Sequence, residues 1–241
     1  MKILTILQAR MTSTRLPGKV LRPMHGQPMM GRQIERLRRS RLLGQLIVAT
    51  STDPTDDVIG DYCRTLDCPT YRGPLADVLA RYCGAAQAFG PADHVVRVTA
   101  DCPLTDWSII DQVIALHLET GFDYTSNTVD RTYAKGLDVE ICRAPLLLEI
   151  PSLTDDPYDH EHVTPFFYRN PDRYRVAQMT QSPDRSEIRW TVDTPSDYRL
   201  AQLIYETLYD ANPAFTAGDI EALGWTLQAD PDDALRLMDR L

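Results

Sequence analysis

The sequence predicts an α/β fold, a mostly parallel sheet flanked by helices, with mixed strands in its second half. Three observations predict it. Short apolar runs rich in β-formers alternate with helical patterns through residues 1–120. Each run gives way to polar sequence bearing Gly, Pro or capping residues, and after Gly121 the alternation loosens into strand-like pieces. Residues 2–9 (KILTILQA) read as a buried strand followed by a loop that closes at Pro28. Met30, Ile34 and Leu37 then recur at helical spacing, which predicts a helix over 28–42 with proline in its first turn. Residues 45–50 form the second strand, STDPTDD supplies a turn full of capping residues, and Val58, Ile59, Tyr62 and Leu66 mark the next helix. A third strand follows over 69–72, a helix over 75–89, and a fourth strand over 94–99 (HVVRVT) that stops just before Asp101. Thr105 is predicted to cap a helix reaching Leu118, with Gly121 as its stop. Residues 122–126, 137–142, 174–179 and 188–192 are strand-like, and 158–169 is helical. Asp193 or Thr194 caps a helix with Pro195 in its first turn, and short helices over 216–223 and 232–241 end the chain.

The 241 residues are 43% hydrophobic and 24% charged, ordinary globular usage that excludes collagen, coiled coil and wholesale disorder. No stretch approaches the ~18 uncharged apolar residues of a membrane span, and Arg10 interrupts the N-terminus before any small-residue cleavage site. A soluble cytoplasmic protein with no membrane partner is the expectation. Cys63, Cys68, Cys83, Cys102 and Cys142 are odd in number and lack Cys-x-x-Cys spacing, which predicts reduced thiols and no structural zinc. No internal repeat or linker divides the chain, so one domain is expected over 1–241. The net charge of −9 conceals an asymmetry. Residues 1–41 hold ten Lys/Arg against one acid, Glu35, and the rest hold fifteen against thirty-three. A cationic end on an acidic body argues against nucleic acid and suits a compact polyanion such as a nucleotide. For Arg32, Arg36, Arg38, Arg39 and Arg41 the competing reading is a solvated basic helix face.

In an open parallel sheet ligands bind beyond the carboxyl ends of the strands, where loops and helix N-termini converge. Two segments there carry unusual chemistry. The loop 10–19 (RMTSTRLPGK) offers Arg10, Arg15 and Lys19, three hydroxyls including Ser13, and a glycine. Guanidinium groups and exposed backbone N–H groups of this kind can wrap a triphosphate, although the spacing is not that of a P-loop, and a solvent-exposed loop with incidental charges is the competing reading. The second segment, TADCPL, presents Asp101, a carboxylate able to hold Mg²⁺, which uses one or two carboxylates plus phosphates and water, with helix cap or turn former as its competing role. Asp193 offers a partner carboxylate at another strand-to-helix junction, with helix capping as its competing role. His25, His94 and His117 are isolated along the chain and read as structural or exposed. His160 and His162, two residues apart, do not share a helix face, which argues against a metal site there.

These residues carry a resemblance. LQARMTSTRLPGKVL, RGPLADVLARY, VTADCPL, KGLDVEI, HEHVTPF and VDTPSDY, in that order over residues 1–205, resemble the cytidylyltransferase superfamily. The similarity is to its spore coat polysaccharide biosynthesis protein F branch, with CMP-KDO and CMP-sialic acid synthetases as more distant relatives. The resemblance implies a Rossmann-like nucleotidyltransferase fold and Mg²⁺-dependent transfer of CMP from CTP to a sugar acid, with pyrophosphate released. It implies a nucleotide-binding half over 1–120, an acceptor half over 121–205 and C-terminal helices over 206–241. By position, Arg10, Arg15 and Lys19 match phosphate-contacting, catalytic residues, and Asp101 and Asp193 match metal aspartates. Cys102 stands where the CMP-KDO enzymes carry glutamate. Ala9, Ala49 and Thr50 fall at the nucleoside pocket, and Asn127, Asp138, Glu140, Glu161 and His162 are candidates for the acceptor. Exposed strands in the second half suit a homodimer. Two other functions compete: a nucleotide-sugar-dependent glycosyltransferase, whose Asp-x-Asp is missing at Asp101-Cys102-Pro103, and a non-catalytic nucleotide-binding regulatory module.

Overall fold

In the computed structural model, which describes residues 1–240, β1 (Ile3–Gln8) already sets the layering. Ile3 and Leu7 enter one apolar cluster and Leu4 and Ile6 another, as a strand covered on both faces requires. A single turn of 3₁₀ helix (Lys19–Leu21) and a hairpin of β2 (Pro23–Met24) and β3 (Gln27–Pro28) lead into α1 (Met29–Leu37). Then follow β4 (Gln45–Ser51), α2 (Asp57–Thr65), β5 (Thr70–Gly73), α3 (Val78–Ala88), β6 (His94–Thr99) and α4 (Trp107–Thr120). The second half holds β7 (Tyr124–Ser126), β8 (Glu140–Arg143), α5 (Ala144–Glu149), α6 (Pro157–His162), α7 (Pro165–Arg169) and β9 (Val176–Gln178). The helices α8 (Pro195–Leu208), α9 (Ala217–Ala222) and α10 (Pro231–Met238) finish it.

The seven-stranded sheet runs β5-β4-β1-β6-β8-β7-β9. Among the described residues only β8 opposes the common direction of the seven-stranded sheet, pairing antiparallel with β6 and β7, so the mostly parallel α/β architecture with a mixed second half is borne out. Helices α1, α2, α4 and α8 pack on one face, and α3, α5 and α7 on the other. Among the described residues no helix is long and apolar enough to cross a membrane, and all five cysteines are buried and free.

Several boundaries differ from expectation for local reasons. The first helix stops at Leu37 rather than 42, because the Asp111 carboxylate of α4 accepts from the Arg41 and Leu42 N–H groups and turns the chain aside. Asp106, not Thr105, caps α4: its carboxylate takes the Ser108 N–H, while the Thr105 hydroxyl donates to the Cys102 carbonyl. The expected helix over 158–169 is split by Val163 at φ +75°, a conformation a β-branched residue adopts only under constraint. Residues 188–192 make a single bridge, Lys135 to Arg189, instead of a strand. The end of the last predicted helix, Leu241, lies outside the described residues.

The basic residues at α1 divide: Arg38 and Arg41 are exposed and fit a solvated face, whereas Arg32 and Arg36 are buried. Arg36 is 1% exposed, lies over the Phe215 ring at 4.1 Å, and donates to the Thr105 and Phe215 carbonyls. Arg32 stacks on Tyr209 and pairs with Glu35. Guanidinium planes are suited to such buried stacking, so Arg32 and Arg36 fasten the C-terminal segment to α1 instead of meeting water.

His94 and His117, distant in sequence, meet in space: His94 Nδ1 lies 3.0 Å from His117 Nε2, whose Nδ1 contacts the Thr125 hydroxyl at 2.9 Å. Burial, with His94 and Arg143 adding repulsion, pushes His117 down to about 4. The unfolded chain therefore binds a proton near pH 6.5 that the folded chain refuses until about pH 4, so stability falls as pH drops through that window. We expect wild type to lose roughly 2–3 kcal/mol more than His117→Gln between pH 7 and pH 4 in urea unfolding. Equal losses would show that the pair does not govern acid sensitivity.

Candidate active site

The site begins where β1 ends. The Ala100 N–H donates to the Gln8 carbonyl and the Ala9 N–H to the Ala49 carbonyl, so the loops leaving β1 and β6 start at one level. The basic loop is then bent back on itself. The Met11 carbonyl accepts from both the Ser13 and Gly18 N–H groups at 3.0 Å, and Gly18 takes φ +70°, where a side chain would be strained. Buried Asp56 anchors its entry, accepting from the Met11 N–H at 2.7 Å and from the Thr50 hydroxyl at 2.9 Å.

This bend turns Lys19 inward. Its ammonium, 9% exposed, donates to Asp193 Oδ1 at 2.9 Å, Asp101 Oδ2 at 3.3 Å and the Val192 carbonyl at 2.8 Å. The other Asp193 oxygen, Oδ2, receives Arg189 at 2.5 Å and Arg15 at 3.0 Å. Burial alone would raise the Asp193 pKa, but Lys19, Arg189 and Arg15 outweigh it and hold the carboxyl below its ordinary value. Asp193 does not cap α8. Thr194 does, in a capping box with Asp197, which leaves the Asp193 carboxylate for the site. The Asp101 backbone is pinned to the same junction, its carbonyl accepting from the Val192 N–H at 2.7 Å.

These groups open onto a cavity of about 350 Å³ at the carboxyl ends of β1 and β6. Of the residues expected from sequence, it brings together Ala9, Arg10, Ser13, Arg15, Lys19, Asp101, Glu161, His162 and Asp193. The others stand back. Ala49 and Thr50 are fully buried, and Thr50 serves the loop through Asp56 rather than facing a nucleoside. Asn127 is fully buried too, its amide spent on the Leu137 carbonyl and the Val139 N–H. Asp138 forms a two-pronged pair with Arg131 at 2.6 and 2.9 Å. The Glu140 carboxylate is taken by Arg97, the Tyr124 hydroxyl and the Thr164 hydroxyl.

Sequence reasoning missed Gln8, Thr14, Val78, Arg97 and Thr99, which also line the cavity. A signal for Arg97 existed: strand alternation puts it on the side of Val95, a face that a sheet covered on both sides must bury. Among the described residues no cluster of three or more His, Cys, Asp or Glu could enclose a metal. Two carboxylates converging on one cationic atom, Lys19 Nζ, nevertheless match the donor set of Mg²⁺, which takes few protein oxygens and completes its shell with phosphates and water.

A family model described as cytidylyltransferase matches residues 4–219. The chain is 34% identical to the spore coat polysaccharide biosynthesis protein SpsF of Bacillus subtilis, across 96% of both chains. Its fold superposes on a cytidylyltransferase from Leptospira borgpetersenii with a TM-score of 0.88 and 31% identity, covering 95% of this chain and 98% of that one. It also superposes on a CMP:2-keto-3-deoxy-manno-octonic acid synthetase complexed with CTP, at TM-score 0.63 and 15% identity, over 86% of this chain and all of the other. That last likeness concerns the fold alone.

Proposed function

The chain belongs to the cytidylyltransferase family and is a nucleotidyltransferase, and from that premise we propose that it transfers CMP from CTP to a sugar acid with release of pyrophosphate. The observation that carries the reading is one cavity lined both by the cations Arg10, Arg15 and Lys19 and by the carboxylates Asp101 and Asp193. Its product would be a CMP-sugar for surface polysaccharide, made in the cytoplasm.

An acceptor hydroxyl attacks the α-phosphorus in line; the new O–P bond forms as the bond from that phosphorus to the α,β-bridging oxygen breaks, pyrophosphate leaves with that oxygen, and the hydroxyl proton passes to water. Such transfer asks little covalent chemistry of the protein, so positioning and charge supply most of the acceleration. Arg10 and Arg15 receive the phosphates and neutralise the departing pyrophosphate. Lys19 holds Asp101 and Asp193 toward each other. Those two would hold Mg²⁺, which when bound neutralises phosphate charge. Glu161 and His162 orient the acceptor.

Pyrophosphate release from each of the four nucleoside triphosphates, with Mg²⁺ and a panel of eight- and nine-carbon keto acids, tests this. Release from CTP with at least one acid is expected. CTP binding without release would instead favour a regulatory module, and release from other triphosphates alone would overturn the reading.

A further inference from the structure

The cavity floor carries a second polar group that phosphate binding does not use. Parallel pairing of β1 with β6 sets Ile6 beside Arg97 and Gln8 beside Thr99, so Gln8 and Arg97 are diagonal neighbours on one face of the sheet. Both line the cavity. Gln8 Oε1 and Arg97 Nε are buried, and neither has a hydrogen-bond partner among the described residues. Buried polar atoms of this kind normally find partners, and two of them on neighbouring residues that both line one cavity point to a ligand there.

Arg97 is also aimed. Its Nη1 donates to Glu140, which Tyr124 and Thr164 hold from the far side. Thr164 directly follows Val163, the residue held at φ +75°, and that bend separates α6, with Glu161 and His162, from α7. Strain is thus spent on placing Thr164 against Glu140 and the α6 end over the cavity. Arg97 lies on β6, beside the antiparallel β8 and with β1 between it and β4, and its Nε is left without a protein partner among the described residues. The basic loop already supplies cations for the phosphates, so the N–H capacity of Arg97 that Glu140 leaves unused calls for a separate acceptor group.

We infer that Arg97, positioned by Glu140 and assisted by Gln8, receives the carboxylate and adjacent hydroxyl of the acceptor, and so makes the enzyme reject neutral sugars. The inference rests on the cytidylyl-transfer reading above. Guanidinium N–H groups match a carboxylate, and Gln8 Oε1 accepts from the neighbouring hydroxyl. Glu140 is a positioning residue, acting through Arg97.

The test measures pyrophosphate release with an accepted sugar acid and with its carboxamide. It compares wild type, Gln8→Leu, Arg97→Lys and the double variant Arg97→Gln/Glu140→Gln, which removes both members of the ion pair together. Wild type should prefer the acid by about 100-fold in kcat/KM, since a buried site built for a charged hydrogen bond discriminates strongly. The double variant should bring that preference within about 10-fold, raising KM for the acid while KM for CTP stays within about 2-fold. Gln8→Leu should raise the acceptor KM about 10-fold, and Arg97→Lys should fall between wild type and the double variant. Should the double variant not fold, these last two decide.

Unchanged acid preference in every folded variant overturns the inference, as does a rise in KM for CTP in place of the acceptor, which would assign the floor to a nucleotide phosphate. Wild type that uses acid and amide equally overturns it while leaving the proposed function standing. No release with any acid removes that function, and this inference with it.

Discussion

Lys19→Met is expected to lower cytidylyl transfer by about three orders of magnitude and to cost roughly 1–3 kcal/mol of stability. The two losses have one origin. The Lys19 ammonium is the atom on which Asp101, Asp193 and the Val192 carbonyl converge, at 3.3, 2.9 and 2.8 Å, in a position almost closed to water. Removing it leaves two carboxylates facing each other across a desolvated gap, and Asp193 keeps only Arg189 and Arg15. Asp193 is partly exposed and still paired, so the penalty stays below that of a fully orphaned buried charge. Lys19→Arg should not restore activity, because a planar fork cannot replace a compact ammonium at three converging oxygens. Thermal melting in Mg²⁺ gives an independent readout. A divalent cation should stabilise Lys19→Met more than wild type, since in the variant it relieves a repulsion that the ammonium relieves in the native protein. Turnover within tenfold of wild type, or a Mg²⁺ stabilisation no larger than that of wild type, would remove Lys19 from the centre of the site.

Lys19 also shows where the sequence could and could not be read. A loop with three cations after a buried strand was enough to point to this cavity, which Arg10, Arg15 and Lys19 line, because strand-end position and charge both survive in one dimension. What Lys19 first touches was not visible there. Its partners lie more than eighty residues away at Asp101 and over one hundred and seventy at Asp193, and only the shared level of β1 and β6 brings them together. The same limit applies to α1. Arg32 and Arg36 carry a basic pattern identical in sequence to a solvated face, yet the C-terminal helices cover it with Tyr209 and Phe215. Residues expected to touch ligand turned out to work one step removed where a local competitor claimed them: Thr50 by Asp56, Asn127 by the backbone of Leu137 and Val139, and Glu140 by Arg97. Asp193 went the other way. Two residues competed to cap α8, and Thr194 with Asp197 won, which released the carboxylate that the resemblance had marked.

That release makes Asp101 and Asp193 separable by experiment. Asp101 is held through its backbone: its carbonyl accepts from the Val192 N–H at 2.7 Å and the Thr191 hydroxyl at 3.3 Å, while among the described residues its side chain has only the long Lys19 contact and the Cys102 thiol at 3.5 Å. Asp101→Asn therefore leaves the junction intact, and stability should change by less than about 1 kcal/mol. Activity should nonetheless fall by roughly three orders of magnitude, and the Mg²⁺ concentration needed for half-maximal pyrophosphate release should rise at least about tenfold, because an amide oxygen carries no charge to hold a divalent cation. Asp193→Asn should show the same shift together with a larger stability loss, since its carboxylate also pairs with Lys19, Arg189 and Arg15. The contrast matters more than either loss. If Asp101→Asn were slow yet half-saturated at the wild-type Mg²⁺ concentration, its carboxylate would be acting on Lys19 or on substrate and not on a cation. If instead both variants shift and only Asp193→Asn melts early, the site consists of one carboxylate held firmly by cations and another kept free for the incoming metal and phosphates.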